Sequence, residues 1–251
     1  MKQIYSNLLQ INIYDTRHLM GHAAWKAIED TINKLLFKKN NIRIIFAAAP
    51  SQNEVLAFLQ HSQTIDWSKI TCFHMDEYIG LHIDHPALFS NFLDEHLFKA
   101  IKPSAFHKIN SLNTIQDEIS RYEKLLMEAP IDICIMGIGE NGHIAFNDPP
   151  YAKFDDPHFV KEIQLDDISR QQQVNDGCFN SIEEVPTHAI TLTIPALVSA
   201  EKIFCIVPGP TKTKALYRLM DEEINENMPA TILRKHENSL LFTDKSCYQR
   251  G

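Results

Sequence analysis

Glycine is scarce in this sequence, at eight of 251 residues, and cysteine scarcer still, at five. The cysteines (Cys72, Cys134, Cys178, Cys205 and Cys247) are odd in number and widely spaced, with no Cys-x-x-Cys. That pattern speaks against a disulfide framework and a cysteine-type zinc site, and suits reduced thiols in a cytoplasmic protein. Cys72, Cys134 and Cys205 lie in apolar runs, where packing in the core outweighs nucleophilic use. No segment approaches the roughly 20 uninterrupted apolar residues of a membrane helix, so no membrane partner is expected. The start, Met1-Lys2-Gln3-Ile4-Tyr5, lacks the long apolar region of a signal peptide. Positive charge is also in short supply: 24 Lys and Arg stand against 32 Asp and Glu, a formal charge of −8. A nucleic-acid partner is therefore not expected, because phosphate neutralisation needs a basic surface. A phosphorylated metabolite remains open, since a few local donors hold one phosphate against an acidic background.

What is present is an ordinary globular composition, 44% apolar and 22% charged. Strand-length, β-branched runs alternate with longer amphipathic stretches. Strands are predicted over Ile42–Ala48, Ile70–His74, Ile131–Met136, Ala189–Ile194, Lys202–Val207 and Ser239–Thr243. Helices are predicted from a cap at Asp15 or Thr16 to about Lys38, over Ser51–Leu59, Ala87–Ala100 and Ile115–Glu128, and from about Lys212 to Asp221. The first carries Leu19, Ala23, Ile28, Ile32, Leu35 and Leu36 on its apolar side. Strands separated by helices predict an α/β fold, a mainly parallel sheet with helices on both faces. Ligands of such sheets sit at the carboxyl ends of the strands. The polar segment 149–184 is long for a simple connection and reads either as a lid or substrate wall, or as a plain surface excursion.

Three of the eight glycines, Gly137, Gly139 and Gly142, fall within six residues directly after the Ile131–Met136 strand. Glycine permits sharp turns and close backbone approach, so this loop is expected to present amide groups to a ligand. It is not a dinucleotide fingerprint, because it sits mid-chain and runs into Pro149-Pro150 instead of a helix. His143 follows the third glycine, and an imidazole suits proton transfer near neutral pH. Asp148, five residues on, is placed to orient the ring. A structural histidine bonded to backbone is the competing reading. Asp76 and Glu77 follow another strand, where one carboxylate of a pair is raised in pKa by its neighbour and serves as a base. An acidic pair at a helix start is the alternative. Ser51-Gln52-Asn53-Glu54 has the form of a capping box, and the same helix start is a ready anion site. Arg170 and Lys212 are the candidate cations for a phosphate. The histidines show no metal-ligand spacing, so no metal is expected.

These motifs carry a resemblance. Met75-Asp76-Glu77-Tyr78-Ile79-Gly80-Leu81 with His85-Pro86, and Gly139-Glu140-Asn141-Gly142-His143-Ile144-Ala145-Phe146-Asn147-Asp148-Pro149, resemble the glucosamine-6-phosphate deaminase (isomerase) family. Gly209-Pro210-Thr211-Lys212 and Pro229-Ala230-Thr231-Ile232-Leu233-Arg234-Lys235-His236 extend it over most of the chain. The resemblance implies a single domain over residues 1–251 with a modified Rossmann-like fold. It also implies conversion of an amino-sugar 6-phosphate and water to a ketose 6-phosphate and ammonia, with no cofactor. By position, Asp76 would move a proton between C2 and C1 of the open sugar, and His143 would serve ring opening. Asn141 and Asp148 complete the catalytic set, and Ser51, Glu77, Gly137, Arg170 and Lys212 form the substrate set.

The chain also departs from that family. Asn141 and Asp148 stand where Asp and Glu are usual, and Ala47-Ala48-Ala49-Pro50-Ser51-Gln52 replaces a Gly-rich phosphate run. Galactosamine 6-phosphate thus stands beside glucosamine 6-phosphate as a substrate. A 6-phosphogluconolactonase is a rival, favoured by Thr191-Leu192-Thr193-Ile194-Pro195-Ala196-Leu197, and a non-catalytic sugar-phosphate sensor is another. A homo-oligomer is compatible with all three.

Overall fold

The computed structural model describes residues 1–175 and 177–249. In chain order the strands are β1 (Lys2–Ser6), β2 (Leu9–Tyr14), β3 (Ile42–Phe46), β4 (Ile70–His74), β5 (Asp76–Tyr78), β6 (Ala105–His107), β7 (Ile133–Met136), β8 (Val160–Gln164), β9 (His188–Leu192), β10 (Lys202–Val207) and β11 (Ser239–Asp244). The helices are α1 (Arg17–Lys38), α2 (Asn53–Gln60), α3 (Phe89–Leu93), α4 (Ile115–Met127), α5 (Asp167–Asn175), α6 (Ile194–Val198) and α7 (Thr213–Asp221). One sheet has the order β1-β2-β11-β10-β7-β3-β4-β6, and a second has the order β5-β9-β8. In the large sheet only the β1–β2 pair is antiparallel. The small sheet is antiparallel throughout.

The apolar runs follow from burial on both sides of the large sheet. Ile133 and Ile135 of β7 join Met20, Ile28, Val55 and Leu59 of α1 and α2 in one cluster. Cys134 and Met136, pointing the other way, join Tyr122, Leu126 and Leu216 of α4 and α7. A strand covered on both faces has no polar side to alternate with, so its sequence reads as continuous hydrophobe. The helices do lie on both faces, as the alternation of elements predicts. Cys72, Cys134 and Cys205 are fully buried within these layers.

Helix α1 starts where expected, with Thr16 Oγ1 accepting from the Leu19 N–H at 3.2 Å. Leu19 itself is exposed, so the apolar stripe begins at Met20. The predicted helix over Ala87–Ala100 is shorter, covering Phe89–Leu93 and continuing as a wider π turn over Asp94–Phe98. Several features had no sequence expectation, among them the β1–β2 hairpin, the short strands β5 and β6, helix α6, and the β8–α5 unit inside segment 149–184. That segment is neither a plain excursion nor structureless, because β8 is an edge strand of the small sheet.

The end of β4, which leads to Asp76, is pinned by Tyr122. Its hydroxyl accepts from the His74 N–H at 2.9 Å and lies 2.9 Å from His74 O and 3.2 Å from His107 O. Tyr122→Phe should therefore cost about 1–3 kcal/mol in denaturant unfolding, because a buried N–H is left unpaired. A loss near zero would mean that water or backbone adjustment replaces the hydroxyl.

Candidate active site

Four strand ends converge on one cleft. β3 runs into Ala47–Ser51, β4 into Asp76, β7 into Gly137–His143, and β10 into Gly209–Lys212. β7 lies between β3 and β10, and the chain proceeds outward from those two in opposite directions. A crevice forms where strand order reverses in this way. The cleft is lined by Ser51, Asp76, Gly137, His143 and Lys212 among the predicted residues. Met75, Phe89 and Phe146 give it an apolar wall.

The glycine loop is built around the imidazole. A Cβ on Gly139 would come within 2.3 Å of the His143 ring, so only glycine lets the ring lie against the backbone there. Gly142 has φ +93°, and its missing side chain leaves room for Met228. The loop is tied to the small sheet by Phe146 N–H to Thr191 Oγ1 (3.1 Å) and Asn147 Nδ2 to Leu192 O (2.8 Å). His143 Nδ1 lies 3.1 Å from Asp148 Oδ1. An ionised carboxylate accepts only, so Nδ1 carries the proton and Nε2 is the nitrogen left for exchange. Asn141 does not line the cleft; its Nδ2 donates to Asp148 Oδ1 at 2.6 Å and its Oδ1 accepts from the His143 N–H at 3.0 Å. Burial pushes the Asp148 carboxyl up, but the His143 charge and hydrogen bonds from His143, Ser169 and Asn141 outweigh it and hold the group low.

Asp76 and Glu77 point to opposite sides of β5, as consecutive strand residues must. Asp76 lines the cleft. Burial, and then the neighbouring Glu77 charge, push its pKa up to about 7, with His143 acting in the opposite sense. Glu77, expected in the substrate set, does not line the cleft. It is fully buried and accepts from the N–H groups of Tyr78, Phe89 and Ser90 at 3.0–3.1 Å, which anchors the start of α3. Burial raises its pKa too, against those three donors.

The opposite wall is suited to an anion. Ser51 sits on the turn that leads into α2, and its Oγ accepts from the buried Gln52 Nε2 at 2.9 Å. The serine proton is then left to donate elsewhere. The capping box is absent: Ser51 caps nothing, and Glu54 pairs with Arg17 at 2.6 Å instead. Lys212 ends the turn before α7, and Asp244 Oδ2 holds that turn through the Gly209 N–H at 3.2 Å. Arg170 does not join this wall. Its guanidinium donates to Ile182 O at 2.6 Å and Val185 O at 3.1 Å, which turns it to the segment after α5.

Helix α5 supplies what sequence reasoning missed. Gln172 and Gln173 line the cleft and Ser169 bonds to Asp148. Segment 149–184 therefore does contribute a wall, the first of its two expected roles. Among the described residues no cluster of three or more His, Cys, Asp or Glu is arranged to hold a metal ion. None of the helices there is long and apolar enough to cross a membrane.

A family model described as glucosamine-6-phosphate isomerases/6-phosphogluconolactonase matches residues 15–242. A glucosamine-6-phosphate deaminase of Bacillus cytotoxicus is 32% identical over 238 residues, which span 94% of this chain and 87% of that protein. Among solved structures, a monomeric glucosamine-6-phosphate deaminase superposes with a TM-score of 0.86 at 26% identity, over 95% of this chain and 98% of that one. A 6-phosphogluconolactonase of Thermotoga maritima superposes with a TM-score of 0.75 at 19% identity, over 93% and 98% of the two chains, a likeness of fold alone.

Proposed function

Since this chain belongs to the glucosamine-6-phosphate isomerase/6-phosphogluconolactonase family, we propose that it is the deaminating branch of that family. The reaction takes an amino-sugar 6-phosphate and water to a ketose 6-phosphate and ammonia. The observation that carries this reading is the pairing of Asp76, a carboxylate with a pKa near 7, with His143 in one cleft. A lactonase has no carbon-bound proton to move and needs no such base.

The steps follow from the groups present. His143 Nε2 accepts the anomeric O–H proton and returns a proton to the ring oxygen, so the C1–O5 bond breaks and an aldehyde forms. Asp76 takes the proton from C2, the electron pair passes to the C1 carbonyl, and its oxygen takes a proton from the substrate's ammonium, giving an enolamine. The proton returns to C1, leaving an imine at C2, to which water adds as ammonia departs. The substrate's own amine supplies the electronic route, so no cofactor enters. Asp148 and Asn141 hold the imidazole, and Ser51, the Gly137 backbone and Lys212 hold the phosphate, fixing C1 and C2 relative to Asp76.

The test is a panel of glucosamine 6-phosphate, galactosamine 6-phosphate and 6-phosphogluconolactone, with ammonia and acid both measured. Ammonia from at least one amino sugar is expected, and the better of the two names the epimer. Acid from the lactone with no ammonia from either sugar would reverse the assignment. Ligand-induced stabilisation without turnover would make the protein a sensor. Lys212→Gln should raise KM by about 10–100-fold, the value of a hydrogen bond to a charged group, and should weaken competition by inorganic phosphate in parallel. An unchanged KM would remove Lys212 from the phosphate site.

A further inference from the structure

Ser169 does not line the cleft, yet its hydroxyl reaches both members of the His143–Asp148 pair. It is fully buried on α5, and its Oγ donates to Asp148 Oδ2 at 2.7 Å and lies 3.3 Å from His143 Nδ1. Both oxygens of Asp148 are thereby engaged, Oδ1 by Asn141 and His143 and Oδ2 by Ser169. Without Ser169 the carboxylate is held through one oxygen only and can turn about its Cβ–Cγ bond. The same helix is fastened to the loop a second time, through the Glu140 N–H to Gln172 Oε1 at 3.1 Å. Helix α5 therefore grips both the backbone of the histidine loop and the hydrogen-bonded pair within it.

We infer that Ser169 is a positioning residue for His143: by holding Asp148 through Oδ2, it couples the seating of α5 to the orientation and Nδ1–H tautomer of the imidazole. The inference rests on the ring-opening role proposed for His143. The charged groups around the imidazole are Asp148 on its own loop, Asp76 and Lys212, which line the same cleft, and Arg218 of α7, which donates to Asn141 O at 3.3 Å. Asn141 and Ser169 are neutral. Removing the serine hydroxyl deletes no charge, but it takes away one of the three hydrogen bonds that hold Asp148 low, so the tautomer is read directly beside kcat.

The experiment compares wild type with Ser169→Ala, Ser169→Thr and Ser169→Cys. Imidazole nitrogen NMR on the substrate-free protein reads the tautomer, and kcat and KM are followed from about pH 5 to about pH 9. The Ala variant should show mixed tautomers, kcat lowered about tenfold as one hydrogen bond to a charged acceptor is lost, and KM unchanged. The Thr variant, which keeps the hydroxyl, should restore both signals. Should Ala fail to fold, Cys serves in its place as a near-isosteric, weaker donor and is expected to match the Ala result. A pure Nδ1–H tautomer and undiminished kcat in Ala or Cys, with only Tm lowered, would reduce Ser169 to a structural role and overturn the inference. The NMR arm needs no turnover, so it decides the role of Ser169 even if wild type releases no ammonia. That second result would sink the proposed reaction instead.

Discussion

Replacing Asp76 by Asn is expected to lower ammonia release by about 10²–10⁴-fold, the usual contribution of a positioned general base. The same change should raise Tm at about pH 8. Both effects have one cause. The cleft half-buries Asp76 beside Glu77, and lost hydration, then the Glu77 charge, push its pKa from the usual 3.8 to about 7. The native state therefore binds more protons than the unfolded chain between those two values. Stability associated with neutral Asp76 is fully present below the unfolded pKa and is lost as pH rises through about 7. Asparagine cannot ionise, so its stabilising effect should grow from acidic to alkaline pH. Catalysis runs the other way, because only the ionised carboxylate takes the C2 proton. Wild-type turnover should rise with pH through about 7. A Tm difference independent of pH would mean that Asp76 titrates normally, and activity retained by the Asn variant would remove it as the base.

His143→Ala should cost about 10²-fold or more on the natural, ring-closed substrate. On an analogue without the 4- and 5-hydroxyls, which stays open, the loss should be far smaller. The contrast follows from position: Nδ1 is committed to Asp148 at 3.1 Å, leaving Nε2 to exchange protons with the ring and anomeric oxygens. The C2 proton belongs to Asp76. Equal losses on the two substrates would place His143 in the proton transfer at carbon instead.

Much of the architecture was legible because the parallel strands announce themselves. Ile133 to Met136 is buried on both faces, so its apolar run has no alternative explanation. The strand ends then located Ser51, Asp76, Gly137, His143 and Lys212 before any contact was known. The hairpin was hidden because β1 is an edge strand with mostly exposed residues, joined to β2 through Asn7 and Leu8 without a glycine. Segment 149–184 was hidden for a related reason. β8 shows only Val160 and Ile163 to the core, and α5 buries Ser169 and Gln173, polar residues that leave no hydrophobic period.

The site errors have the same local character. Adjacency groups Glu77 with Asp76, but strand alternation sends it away from the cleft to the start of α3. Position in the chain and the family resemblance group Arg170 with Lys212, but its partners, the carbonyls of Ile182 and Val185, come within reach only once the chain folds back after α5. Ser51 and Glu54 have capping-box spacing, but Pro50 opens a tighter turn at that point and Glu54 meets Arg17 of α1. Ser169 carried no signal at all, because a serine acquires meaning only from what its hydroxyl reaches.

The central claim is that this cleft couples proton transfer at carbon to loss of an amine, and product stoichiometry tests it most directly. Wild-type protein is incubated with the preferred amino-sugar 6-phosphate, and ammonia and ketose 6-phosphate are quantified in the same sample, beside Asp76→Asn. Equal molar amounts of the two products from wild type, and neither from the variant, are the expected result. Ammonia without ketose, or ketose and ammonia formed equally well by Asp76→Asn, would contradict the account.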